Sequence, residues 1–364
     1  MTVPVPQVDP SEITLANVEE LARSRLDAGM RAYFGGGAAG ERTLRRNLGA
    51  YREFVLRPRV LAGLESTSTV ARVAGHDLGM PVLAAPMASL RLAHPDGDEG
   101  IAGAAAATGA GVVLPTLSLS TPQQVAAAAP DAVRWYQVYV LRDRGLTDEL
   151  IGEALAAGYT AIVLTVDLPV IGTRDRELAA SWAVPEPDVP ALRRAIERGA
   201  PERGPGQPGF PLVDPTVDWP YVERLCSRFG VPVLVKGVLR ADDALLAAEH
   251  GAAGIVVSNH GGRQLDGVAA TISALPEISE AVADRLDVLV DSGVRRGSDV
   301  VTALALGARA VMVGRPVMWG LVAAGEAGAR RVLELFREEI EVALHLLGCA
   351  RPADVSRDRV GRRT

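Results

Sequence analysis

DVLVDSGVRRGSDVVTALALGARAVMVGR, residues 287–315, holds one full structural unit and the start of the next. Asp287–Val290 is a short apolar run. The polar turn Asp291-Ser292-Gly293-Val294-Arg295 follows it. Gly297–Leu306 is rich in Ala, Val and Leu and reads as a helix. Ala310–Val313 is a second apolar run, and Gly314-Arg315 closes it. Neither run alternates apolar with polar residues. Continuous runs suit parallel strands buried on both faces, with a helix between them as crossover.

The same rhythm extends back through the chain. Further strands are predicted at Val82–Ala85, Gly111–Leu114, Val133–Val138, Ala161–Val166, Pro232–Val235 and Gly254–Val257. Helices are predicted at Gly97–Thr108, Gln123–Ala129, Leu146–Ala157, Ala241–His250 and Ile272–Ala283. Eight strands with helices between them define an α/β fold, a (β/α)8 TIM barrel. An open doubly wound sheet is the alternative. Three segments lie outside the repeat. Residues 1–75, with a helix at Thr14–Ala28 and the run Gly35–Gly37, form an N-terminal extension. Residues 168–217 follow the fourth strand and hold nine of the 24 prolines. They read as a structureless active-site lid over the C-terminal face of the barrel. Residues 318–350 form a C-terminal helical segment, amphipathic over 326–347.

The arithmetic is consistent with this architecture. At 364 residues the chain is long enough for two average domains, but one decorated barrel over 1–364 accounts for all of it. A net charge of −6 argues against nucleic-acid binding, which needs a basic face. The basic tail Arg357–Arg363 reads as a frayed, solvated terminus. Cys226 and Cys349 form neither a zinc spacing nor a disulfide framework. The opening MTVPVPQVDPSE lacks a leader pattern, and the uncharged stretch 100–130 is broken by prolines. A cytoplasmic protein without a membrane segment is expected.

In a barrel, chemistry gathers where strands end. Ala85-Pro86-Met87-Ala88 follows the first strand and Pro115-Thr116 the second. Gln137 and Tyr139 end the third. Thr165 and Asp167, then Arg174, end the fourth. Lys236 ends the fifth and faces an anion or a Schiff-base partner. Ser258-Asn259-His260-Gly261-Gly262-Arg263-Gln264 ends the sixth. His260 suits a general base, Asp167 its orienting partner, and Arg263 a carboxylate clamp. Gly293 with Arg295, and Gly314 with Arg315, follow strands seven and eight, the usual barrel phosphate site. No metal-ligand spacing emerges.

The run Ser258–Gln264, with LVKG at 234–237, GVRRGSDV at 293–300 and ALGARAVMVGRPV at 305–317, resembles the FMN-dependent 2-hydroxy acid oxidase and dehydrogenase family. Weaker likeness extends it over about residues 15–350. The resemblance implies FMN as cofactor. It implies that Ala85, Pro86 and Ala88 back the flavin ring, and that Gln137 and Thr165 bond its edge. Lys236 would stabilise the reduced anion. Ser258, Asp291, Gly293, Arg295, Gly314 and Arg315 would hold the ribityl chain and phosphate. His260 would be the catalytic base, backed by Asp167, with Tyr139 on the substrate hydroxyl. Arg174, Arg263 and Tyr33 would bind the substrate carboxylate. Electrons would pass to the flavin as hydride or through a carbanion, and then to O2 or another acceptor. A homotetramer is also implied.

Three positions depart from the family pattern. Pro115 and Met87 stand where hydroxyl residues are usual, and Leu117 stands where glycolate oxidases place a large aromatic. A bulkier, aryl substrate of mandelate type is therefore expected. The competing readings are an FMN barrel acting on another specialised substrate, a non-redox FMN isomerase, and a non-catalytic flavin-binding module.

Overall fold

The computed structural model describes residues 8–181, 189–200 and 212–363. Its centre is a closed barrel of eight parallel strands. They are β1 (Val82–Ala84), β2 (Gly111–Pro115), β3 (Val133–Val138), β4 (Ile162–Thr165), β5 (Val233–Val238), β6 (Gly254–Val257), β7 (Asp287–Val290) and β8 (Ala310–Val313). Each pairs with the next, and β8 closes on β1 with Val311 opposite Val82. All eight predicted strands are present, and the open sheet is excluded.

Side-chain alternation explains why the strands read as unbroken apolar runs. Leu83, Val113, Trp135, Val163, Leu234, Val256, Leu289 and Met312, one from each strand, pack together in one cluster inside the barrel. Their neighbours, such as Val82, Val112, Tyr136 and Ile162, belong to a second cluster shared with the surrounding helices. Both faces are dry, so neither face selects polar residues. The hairpin of Ala71–Val73 and His76–Leu78 adds Val73 and Leu78 to the inner cluster.

The appended segments depart from the sequence reading. The helix expected over Thr14–Ala28 is two helices, Val18–Arg23 and Ala28–Gly35. Asp27 adopts an extended backbone and accepts from Met30 N, so it starts a new helix where continuity was expected. The segment 168–217 is not structureless. It carries the short helices Asp175–Ala179 and Pro190–Glu197, and the second buries Ala191, Leu192 and Ala195. The glycine- and proline-rich run at 203–209 lies outside the described residues.

The C-terminal helix begins earlier than expected, at Arg315, and runs to Leu347 with a break at Ala324 and Gly325. The tail is ordered rather than frayed. Val360–Arg362 pairs antiparallel with Phe54–Leu56, and Val360 is buried. The strand ladder and that buried side chain outweigh the tail's charge.

Candidate active site

A cavity of about 770 Å³ opens at the C-terminal ends of the strands. Its walls carry the small residues Ala85, Pro86 and Ala88 after β1, with Met87 among them. Pro115 ends β2 and Leu117 lies just beyond it, Gln137 and Tyr139 belong to β3 and its exit, and Thr165 ends β4. Lys236, His260, Arg263, Asp291, Gly293, Arg295, Gly314 and Arg315 come from the later strand ends. Tyr33 and Arg174 reach in from the N-terminal segment and from the segment after β4. Residues spread over more than 280 positions thus meet in one space.

His260 is held with care. Its backbone lies in the left-handed region, φ 58, uncommon for a residue with a side chain. Its N–H donates to Ser258 Oγ at 3.1 Å. Gly262 follows at φ 77, where a Cβ would meet Leu44 N at 2.7 Å, so only glycine lets this loop pack on the N-terminal helix Arg42–Ala50. His260 Nδ1 lies 2.9 Å from Asp167 Oδ1, and Nε2 lies 3.2 Å from the Tyr139 hydroxyl. Burial lowers the imidazole pKa below its ordinary value, and this outweighs the opposing pull of Asp167. Burial alone would raise the Asp167 carboxyl. His260 and Lys236 beside it hold it below the ordinary carboxylate range. Burial thus favours the neutral imidazole, backed by a carboxylate, with Nε2 beside the Tyr139 hydroxyl. Burial raises the Tyr139 hydroxyl, which stays protonated.

Lys236 Nζ lies 3.2 Å from Asp291 Oδ2 and donates to Ser258 Oγ at 2.9 Å. Burial opposes its charge, but Asp291 and Asp167 raise its pKa above the ordinary value. Ser258 is completely buried, and its hydroxyl also donates to Asp291. It is not among the residues that line the cavity, and its hydroxyl supports Lys236. Gln137 Nε2 donates to Thr165 Oγ1 at 3.0 Å. Thr116 turns its hydroxyl to Gln137 O, so the flank at Pro115 presents no side-chain hydroxyl.

The far end of the cavity is cationic. Arg315 donates to the carbonyls of Phe34, Gly261 and Gly36. Arg295 Nη1 donates to Val294 O. Burial lowers both guanidiniums, Arg315 to about 9. Neither shows a carboxylate partner among the described residues. Two half-buried cations whose guanidiniums bond only carbonyls among the described residues, flanked by Gly293 and Gly314, have the donor chemistry for a phosphate group. An FMN therefore fits here on charge and on space.

Near the entrance, Arg263 Nη1 donates to the carbonyls of Tyr33 and Gly36. Its Nη2 donates to Glu177 Oε1 at 3.0 Å, and Arg174 Nη1 lies 3.5 Å from the same oxygen. Burial lowers Arg174 to about 10, and the neighbouring Arg263 adds to the shift. Glu177 escaped the sequence reading. Its one signal was an acidic residue three positions after Arg174. Gln264 closes the motif after β6. Its Nε2 donates to the carbonyls of Asp167 and Val170, tying the loop after β6 to the end of β4.

A closed parallel barrel whose mouth gathers a histidine–aspartate pair, two neighbouring arginines and a cationic far end has the donor chemistry of an enzyme that holds a phosphorylated cofactor and a small carboxylate. The comparisons agree. The family model for FMN-dependent dehydrogenase matches residues 22–362. The chain is 42% identical over 353 residues to an L-lactate oxidase of Nostoc sp., covering 95% of this chain and 97% of that one. It is 40% identical to glycolate oxidase 1 of Oryza sativa subsp. indica, covering 96% of each. The structure of a mandelate oxidase with (S)-2-phenylpropionate superposes with a TM-score of 0.87 at 38% identity, covering 96% of this chain and 98% of that one. This chain belongs to the FMN-dependent 2-hydroxy acid oxidase family, and FMN is its cofactor.

No helix among the described residues is long and apolar enough to cross a membrane, and no group of metal-ligating side chains is found among them.

Proposed function

We propose that this enzyme oxidises (S)-2-hydroxy acids with a bulky apolar or aryl side chain, of mandelate type, to the 2-oxo acids. The observation that carries the reading is the apolar share of the cavity wall, to which Met87, Leu117, Leu168, Ile171, Leu178 and Leu192 contribute, Leu117 and Ile171 packed together with Leu168. A two- or three-carbon acid leaves such a wall uncovered, whereas an aryl side chain removes it from water at about 25 cal/mol per Å² of apolar surface.

Bound FMN supplies the electron acceptor. Ala85, Pro86 and Ala88 would back its ring, Gln137, Thr165 and Lys236 would hold the ring edge, and Asp291 and Gly293 the ribityl chain. Arg295, Gly314 and Arg315 would take the phosphate. The chain's own residues then act on the substrate. Arg174, Arg263 and Tyr33 hold its carboxylate. Tyr139 orients the hydroxyl. Neutral His260 takes a proton at Nε2, and Asp167 steadies the resulting imidazolium through Nδ1. Lys236 would place positive charge at the ring edge, where it favours an anionic form of the ring.

The test is anaerobic mixing of the purified yellow enzyme with glycolate, lactate and mandelate. Mandelate is expected to bleach the oxidised-flavin band fastest. Bleaching by glycolate alone would overturn the substrate class, and no bleaching by any member would overturn the chemistry. Hydrogen peroxide formed per acid consumed decides whether O2 is the acceptor. We also propose a cytoplasmic homotetramer, which sedimentation and fractionation test.

A further inference from the structure

We propose that Glu177 is an internal counter-ion seated where the substrate carboxylate binds, and that substrate displaces it. The inference rests on the substrate reading above. Glu177 lies on the short helix Asp175–Ala179 after β4 and lines the cavity. Its Oε1 takes Arg263 Nη2 at 3.0 Å and faces Arg174 Nη1 at 3.5 Å.

The seat is poorly filled by this occupant. Arg263 spends Nη1 on two backbone carbonyls, so Nη2 is the terminal nitrogen left for a ligand, and Glu177 takes it. Arg174 is satisfied worse. Its contact with Glu177 is at the limit of a hydrogen bond, and its buried Nε has no acceptor. A buried guanidinium group without an acceptor costs free energy that a better-placed carboxylate would recover. Two arginines also share a single carboxylate, so the pair keeps a net positive charge that a second anion neutralises.

The helix that carries Glu177 is held from outside as well. The neighbouring Arg176 pairs with Glu41 of the N-terminal segment, and Ala39 N donates to Thr173 O. These contacts leave the helix anchored when Glu177 lets go. The movement required is therefore a swing of one side chain, with the backbone in place. Only an anionic ligand group competes for the seat, which makes Glu177 a filter on substrate charge.

The test compares two probes that lack the 2-hydroxyl, phenylacetate and its neutral amide phenylacetamide. Binding to the FMN-loaded enzyme is read from perturbation of the flavin spectrum. Glu177→Gln keeps the shape and removes the charge. It is expected to tighten phenylacetate about tenfold and leave phenylacetamide unchanged. Weaker phenylacetate binding would overturn the proposal, because Glu177 would then be positioning the arginines. Equal shifts for both probes would overturn it too. If Glu177→Gln does not retain FMN, Glu177→Ala, which also removes the charge, is read by the same criterion. Binding of phenylacetate by neither wild type nor variant would overturn the substrate reading, and this inference with it.

Discussion

At the scale of single residues, burial and one hydrogen bond decide what His260 can do. A proton acceptor must be neutral at working pH, and desolvation lowers this imidazole. The acid limb of kcat/KM against pH is therefore expected below the ordinary imidazole value of about 6.5, with activity lost as pH falls through it. An acid limb above that value would contradict the buried, neutral assignment. Asp167 orients the ring through Nδ1. Asp167→Asn leaves the shape but removes the anion that stabilises the imidazolium, and is expected to slow flavin reduction by about 10²–10⁴-fold. His260→Ala should abolish reduction while FMN stays bound, because neither phosphate-seat arginine depends on His260. Stopped-flow absorbance and retained yellow colour separate the two effects.

At the scale of elements, two features carry measurable energy. The long helix Arg315–Leu347 breaks at Gly325, φ 62 and ψ −150, a region essentially reserved for glycine. A Cβ there would collide with Asp96 Oδ2, and that carboxylate accepts from Glu326 N. Gly325→Ala is expected to destabilise the fold by about 1–3 kcal/mol, read as a lower denaturant midpoint. The helix Gly97–Thr108 carries Asp98, which is buried and accepts from Ser118 Oγ at 2.7 Å. Burial raises its carboxyl to about 7. A carboxyl raised on folding favours the native state only while protonated, so its penalty grows as pH climbs from the unfolded value near 4 through 7. Asp98→Asn is expected to melt higher than wild type at pH 8, by an amount on the order of 2–4 kcal/mol. The difference should vanish near pH 4. A difference unchanged between those pH values would refute the assignment.

At the scale of the molecule, a chain of net charge −6 concentrates cations at one barrel face. Lys236, Arg174, Arg263, Arg295 and Arg315 share the cavity with Glu177 and Asp291. Such an excess of buried positive charge opposes folding until anions arrive. Removal of FMN is therefore expected to lower the thermal midpoint, and added FMN to restore it. Saturation at a hundredfold excess over Kd adds about 2.7 kcal/mol. Inorganic phosphate should recover part of the shift, since it fills the arginine seat without the ring. Scanning calorimetry of apo, phosphate-loaded and FMN-loaded protein measures all three.

The sequence by itself determined the barrel and most of its mouth. Strands dry on both faces must be apolar throughout, so runs such as Ile255–Val257 and Val288–Val290 are visible without any partner. Polar residues at the ends of such runs, His260, Lys236 and Arg315 among them, have one place to go in a closed barrel. The tertiary structure decided what depends on contacts between distant parts of the chain. Arg263 meets Glu177 across 86 positions, and Asn47 pairs with Asn259 across 212. The tail becomes a strand because Phe54–Leu56 offers an edge. The Ser258 hydroxyl joins Lys236 to Asp291, partners 22 and 33 positions away. Local periodicity reports which face a residue prefers. The partner found on that face is set by closure of the barrel.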